Sequence, residues 1–284
     1  MPSLAISVLY AGVSLLFTSI LARILYIFLK QKEYRQLECY RIMTVIGLCQ
    51  ITIGCIVIVA PFLIPISLKS IEPLEALGTS SYLAVCGLEL VLAFNRVNVI
   101  CDLELRGYVT TVLQVLVALF SVTHFALLIS GLAGFVYSSR TRHRFYDFAS
   151  PCGYIVFNVV TFYRTALLIL TVAAYVAIMV YLKCKSSQAN KTEKIIALQC
   201  FIYFVGQGSL VAYVCLRATF FSAIDDVDEY FRVAEFFIIV CLPSLIFLVF
   251  NRRLREEFIR PLKRSTTVEV LPSINTNSAV LKGR

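Results

Sequence analysis

The sequence predicts an all-α membrane protein: a seven-transmembrane helix bundle with its amino terminus outside and an amphipathic helix after the seventh span. Three observations carry that expectation. Of 284 residues, 59% are hydrophobic and 15% charged, whereas about a quarter of a soluble domain is charged. Uncharged runs recur at lengths of about 18 residues or more, enough to cross a hydrocarbon layer of roughly 30 Å. Cations crowd the connections on one side of those runs, the asymmetry that sets orientation.

In chain order, the first span covers about 4–29, an apolar run too long for a signal-peptide core and preceded by no basic stretch. The second, about 42–68, carries Pro61 and Pro65 near its far end, where neighbouring helices can re-satisfy a kink. The third runs over about 76–100 and is interrupted by Glu89 and Arg96. The fourth is expected over 108–135, the fifth over 154–182 with Arg164 inside it, and the sixth over 195–217, ending on Arg217. The seventh, 231–250, holds Glu235 early and Pro243 midway. After Asn251, Leu254, Phe258, Ile259 and Leu262 recur at helical spacing among basic residues. That pattern predicts an interfacial helix over about 252–263. Residues 1–264 thus form one transmembrane domain, and 265–284 a flexible polar tail.

Seven spans place the termini on opposite sides. One face collects Arg23, Lys30, Lys32, Arg35, Arg41, Arg96, Arg106, the loop cations Lys183 to Lys194 and those of the tail. The other holds Lys69, Arg140, Arg142, Arg144, Arg164, Arg217 and Arg232, only seven of the 26 lysines and arginines. The richer face is cytoplasmic. The net charge of +9 then reflects loops facing anionic lipid, and nucleic acid is not expected as a partner. The sequon at Asn190 falls in a cytoplasmic loop and should stay unglycosylated.

Ionisable residues within spans are functional candidates, since each costs about 2.5 to 3.5 kcal/mol at the bilayer centre. Depth separates them. Arg164 and Arg217 lie roughly 28 to 35 Å from the basic ends of their helices, where a snorkelling anchor suffices. Glu235 lies roughly 24 Å outward from Asn251, within reach of an outer-leaflet cation or simply of the surface. Glu89 precedes Arg96 by two helical turns, so both project from one face, with Glu89 roughly 10 Å deeper. Polar glue between helices and a switch role both fit it.

Enzymatic features are lacking. Two histidines, His124 and His143, make no zinc cluster, and ten cysteines show no metal or CxxC spacing. "GQGS" at Gly206 to Ser209 reads as close helix packing by small residues. The acidic loop Asp225, Asp226, Asp228 and Glu229 reads as solvated, with attraction of cations near an entrance as the sharper alternative. No cofactor, metal or catalytic residue is expected.

The seven spans, the arginine ending the third, the mid-helix proline of the seventh and the basic helix after it together resemble the rhodopsin-like G-protein-coupled receptors over nearly the whole chain. In detail the pattern is similar to the nematode serpentine chemoreceptors, class T among them. "LAFNR" ends the third span, "EKIIALQCFIYF" opens the sixth and "CLPSLIFLVFNRRLREEF" closes the seventh. The resemblance implies that Arg96 faces a G-protein cavity, that Asn95 stands where an acid is usual, and that Pro243, Phe247 and Asn251 belong to the switch of the seventh helix. Asn can hydrogen-bond an arginine without neutralising it, so no ionic lock through position 95 is expected. Nor is the usual outer disulfide, because Lys69 to Ser80 offers Cys152 no partner.

The resemblance further implies a chemosensory receptor at the plasma membrane of ciliated sensory endings. An external small molecule would bind in the outer half of the bundle, with Glu89, Arg164, Arg217 and Glu235 as candidate cavity or buried polar residues. A heterotrimeric G protein would meet Arg96, the basic loop and the start of the tail helix. The alternative is a transporter or ligand-gated channel in which Glu89 and Glu235 mark an ion path.

Overall fold

A computed structural model describes residues 4–63, 68–101, 108–137, 144–184, 198, 201–202, 205–206, 208–209, 234 and 236–264. Arg217, Glu235, Asn190, the acidic loop, most of the expected sixth span and the tail lie outside the described residues.

Helix α1 spans Leu4–Lys30, and a short α2, Lys32–Gln36, leads into α3, Glu38–Leu63. Then come α4, Leu68–Ile100; α5, Tyr108–Ile129; and α6, Gly153–Cys184. A π-helical turn, Phe237–Cys241, runs into α7, Leu242–Phe250, and α8, Arg252–Arg264, follows. Helices α1, α3, α4, α5 and α6 are each long and apolar enough to cross a membrane. The chain is a multi-pass membrane protein.

Packing explains which faces point where. Helix α4 is the hub, with half of its most apolar stretch buried, and it packs on α3, α5 and α6. Its Leu83, Val85 and Ala93 are fully buried, as are Leu21 and Ile24 of α1. Outward faces carry the opposite signature: Leu15, Leu16, Leu116, Leu119, Val122 and Phe162 are all more than half exposed. An apolar surface of this kind is costly in water and ordinary in lipid.

Several boundaries depart from the sequence reading. The fourth span was expected to reach 135, but α5 stops at Ile129. Gly131 adopts a left-handed φ of 73°, and the Ala133 amide turns back to the Leu127 carbonyl at 3.0 Å, the kind of helix stop that glycine favours. Helix α4 begins at Leu68 rather than 76, carrying Pro73 within its early turns, because Ile71 and Ala76 are drawn into the bundle at 0% and 3% exposure. Helix α3 runs from Glu38 to Leu63 instead of 42–68, and Leu68 belongs to α4; Pro65 in the intervening sequence disfavours helix at the residue before it.

The chain is mostly helical, as expected, with one short addition. Strands β1, Phe135–Tyr137, and β2, Arg144–Tyr146, form an antiparallel hairpin between α5 and α6, with Phe135 opposite Tyr146 and Tyr137 opposite Arg144. Their three-residue length gives no legible alternation. Cys152, next to this hairpin, is a free thiol.

Helix α8 leaves α7 at 98°. Asn251, extended at ψ 94°, is the corner. Its side-chain oxygen accepts the Leu254 amide at 3.0 Å, capping α8. Arg255 reaches back to the Leu248 and Val249 carbonyls at 3.3 and 2.9 Å, capping α7. The amphipathic pattern is divided accordingly: Leu254 is fully buried, Phe258 packs on the same core, and Ile259 stays 41% exposed.

Candidate functional site

Two polar sites sit at opposite ends of the bundle, one at the α8 end and one beneath the hairpin. At the α8 end, four residues singled out from sequence come together. A cavity of about 70 Å³ is lined by Glu89, Leu92 and Arg96 of α4, Met43, Ile46 and Gln50 of α3, Tyr175 of α6, and Pro243, Ile246 and Phe247 of α7. It is roomy enough for several waters, and its mainly apolar wall carries four polar side chains, Gln50, Glu89, Arg96 and Tyr175. The two-turn spacing of Glu89 and Arg96 does place both on one face. Gln50, 1% exposed, and Tyr175 are additions that no local spacing signals.

The α7 wall has a local cause. Pro243 has no amide to donate and its ring crowds the carbonyl four residues back. The π turn just before it adds a residue to the turn, with the Leu242 amide bonding the Phe237 carbonyl. Single π turns of this sort recur at functional sites. Phe247, one turn further, meets the Phe28 ring of α1 edge-on at 6.0 Å between centroids. On the far side of this helix, a Cβ on Gly206 would come within 3.2 Å of Ile238 and 3.3 Å of Leu242. Close packing by a small residue is what "GQGS" suggested.

Beside the cavity, Asn95 is 5% exposed and donates to Glu38 Oε2 at 2.9 Å. Thr110 of α5 donates to Glu38 Oε1. Glu38 is the first residue of α3, so one carboxylate ties α3, α4 and α5 together through hydrogen bonds. Glu38 was not a sequence candidate. It lies 57 and 72 positions from its two donors, and a charge at a helix start reads as ordinary.

The same end is braced by α2 and α8. Arg253 pairs with Glu33 at 2.5 Å, and this hydrogen bond to the carboxylate is the main reason the guanidinium's pKa is raised further. Both groups are about two-thirds exposed, so the pair contributes little to stability. More comes from the rings beneath: Phe28 packs on Tyr34 and Tyr40 at 5.3 and 5.1 Å, and Tyr34 on Tyr40 at 4.7 Å. Tyr34 is 5% exposed, and its hydroxyl has no hydrogen-bond partner. Burial pushes that phenol above its ordinary value, partly opposed by Arg253.

At the hairpin end, Ser80 of α4 bonds His124 Nδ1 of α5 at 2.8 Å, and His124 Nε2 bonds the Tyr146 hydroxyl of β2 at 2.9 Å. His124, 3% exposed, therefore fastens the hairpin to the bundle. Phe135, Phe157 and Phe148 continue the contact as a run of tilted and edge-on rings. Arg164 is no bare interfacial anchor: it donates to the Tyr82 hydroxyl at 2.8 Å and lies 4.7 Å from that ring's centroid. Tyr82 in turn packs on the π turn through Phe236, Ile239 and Val240. Arg217 and Glu235 fall outside the described residues.

Among solved structures, 78 chains match. One is squid rhodopsin, with a TM-score of 0.63 and 13% sequence identity over 91% of this chain and 85% of that one. The protein therefore has a rhodopsin-like helical fold. No family model and no curated protein sequence matches the chain.

Proposed function

We propose that the chain is a chemosensory G-protein-coupled receptor with seven spans, its amino terminus outside and α8 on the cytoplasmic face. An external small molecule binds toward the hairpin end and shifts a two-state equilibrium that opens the α8 end to a heterotrimeric G protein. The work is binding and conformational change, without covalent chemistry. One observation carries this reading: Glu89, Arg96, Pro243 and Phe247 line a single cavity between α3, α4, α6 and α7. A cavity bounded by an arginine and a helix with a π turn before its proline is a place where two packings can exchange.

In this reading Arg96 contacts the G protein, with Asn95, Phe247 and Asn251 shaping the surface around it. Arg164 and Tyr82 couple the ligand side to the π turn. The test is Arg96→Ala at equal surface expression, assayed against a panel of small molecules that activate the wild-type receptor. Loss of second-messenger response with ligand binding retained is the expected result. Ligand-evoked current in cells without heterotrimeric G proteins would favour the transporter or channel reading instead.

A further inference from the structure

We propose that the lipid-facing flank of α1 carries a binding site for an anionic phospholipid, its phosphate held by Arg23 and Lys30 about Tyr26. Helical side chains lean toward the amino terminus, and Lys30 follows that rule, its Nζ lying 5.6 Å from the Tyr26 ring centroid four residues back. Arg23 does the reverse. Its Cζ sits 5.6 Å from the same centroid, three residues ahead. Two cations from opposite directions therefore converge on one ring.

Tyr26 is 51% exposed and Leu29 beside it 52%, so the cluster faces outward. Among the described residues no carboxylate pairs with Arg23 or Lys30. Ring faces attract cations within about 6 Å, yet two like charges near a low-dielectric surface repel. An anion seated between them removes that cost, and phosphate suits the guanidinium fork.

The floor above the ring suits an acyl chain. Leu15 and Leu16 are 57% and 58% exposed, whereas Ser19 and Ala22 between them and Tyr26 are small. The Ser19 hydroxyl is already engaged with the Leu15 carbonyl at 2.7 Å, so this flank presents little free polarity to a hydrocarbon chain. A phosphate with a hydrocarbon tail, at a membrane boundary, is a phospholipid. The leaflet involved rests on the receptor topology proposed above; the site does not.

The full chain in detergent is titrated with phosphatidylglycerol and, separately, with phosphatidylcholine of the same acyl composition, and the first bound lipid is counted by native mass spectrometry. Wild type should prefer phosphatidylglycerol. Arg23→Gln with Lys30→Gln should weaken it roughly 30-fold, at about 1 kcal/mol per cation. The exposed pair Arg35→Gln with Arg41→Gln should leave it unchanged, and Arg23→Lys should keep most of it. Equal loss in both double variants would mean diffuse attraction and overturn the site. So would no loss, no headgroup preference, or displacement of the lipid by cholesterol. The titration needs no ligand and no G protein, so a chain that fails to signal could still bind lipid here, and a chain without the site could still signal.

Discussion

At the α8 end, Glu38 gathers Asn95 and Thr110, Arg253 meets Glu33, and Arg96 and Glu89 share a cavity. At the hairpin end, Ser80, His124 and Tyr146 form a chain of hydroxyls and imidazole under packed aromatic rings. The first arrangement stores formal charge beside open volume; the second has short hydrogen bonds and close ring contacts. Removing one partner of a desolvated charge is costly, so such charges hold a structure only while their partners stay in place. In the proposed receptor reading, the α8 end is the end that switches and the hairpin end the one that holds shape. His124 makes the hairpin's tie to α4 and α5.

The comparison can be broken in four ways. The largest expected effect is Arg96→Ala, which should lower G-protein activation by a factor of ten or more at unchanged surface expression, measured by second-messenger output. Next is Glu38→Ala. It removes charge-assisted bonds worth about 1.5 to 3 kcal/mol each, so constitutive signalling should rise several-fold as α3, α4 and α5 loosen.

His124→Ala withdraws a partner from two hydroxyls and should cost about 1 to 3 kcal/mol. A lower thermal midpoint with unchanged basal signalling is the expected pattern; raised basal signalling would erase the distinction between the ends. The smallest effect is Tyr34→Phe. Its hydroxyl is buried without a partner, so the variant should be neutral or more stable by up to about 1 kcal/mol. Tyr34's pKa is raised above 10.0, so in wild type its contribution is complete below pH 10 and fades as the pH rises through the folded value. Alkaline thermal denaturation should therefore be flatter in the phenylalanine variant.

Much of this was legible in the sequence because it is local. Hydropathy marks five helices, though their ends shift by up to eight residues, two turns align Glu89 with Arg96, and the family resemblance singled out Pro243 and Phe247. Leu254 was legible through the amphipathic pattern that follows α7, and Asn251 through the family resemblance. Contacts set by helix rotation were not. Glu38 reaches Asn95 across 57 positions, Tyr82 reaches Arg164 across 82, and Ser80 reaches His124 across 44. His124 was weighed only as a metal ligand, and the hairpin it holds has strands too short for alternation. The π turn leaves only the weak trace of Pro243.

We propose that Glu38, by holding Asn95 next to Arg96, restrains the Arg96 cavity in the silent state. Basal nucleotide exchange on a heterotrimeric G protein, measured with purified Glu38→Ala and with Glu38→Ala combined with Arg96→Ala, tests it without any ligand. The account predicts raised exchange in the single variant and its loss in the double. Unchanged exchange in Glu38→Ala, or raised exchange that survives removal of Arg96, would contradict it.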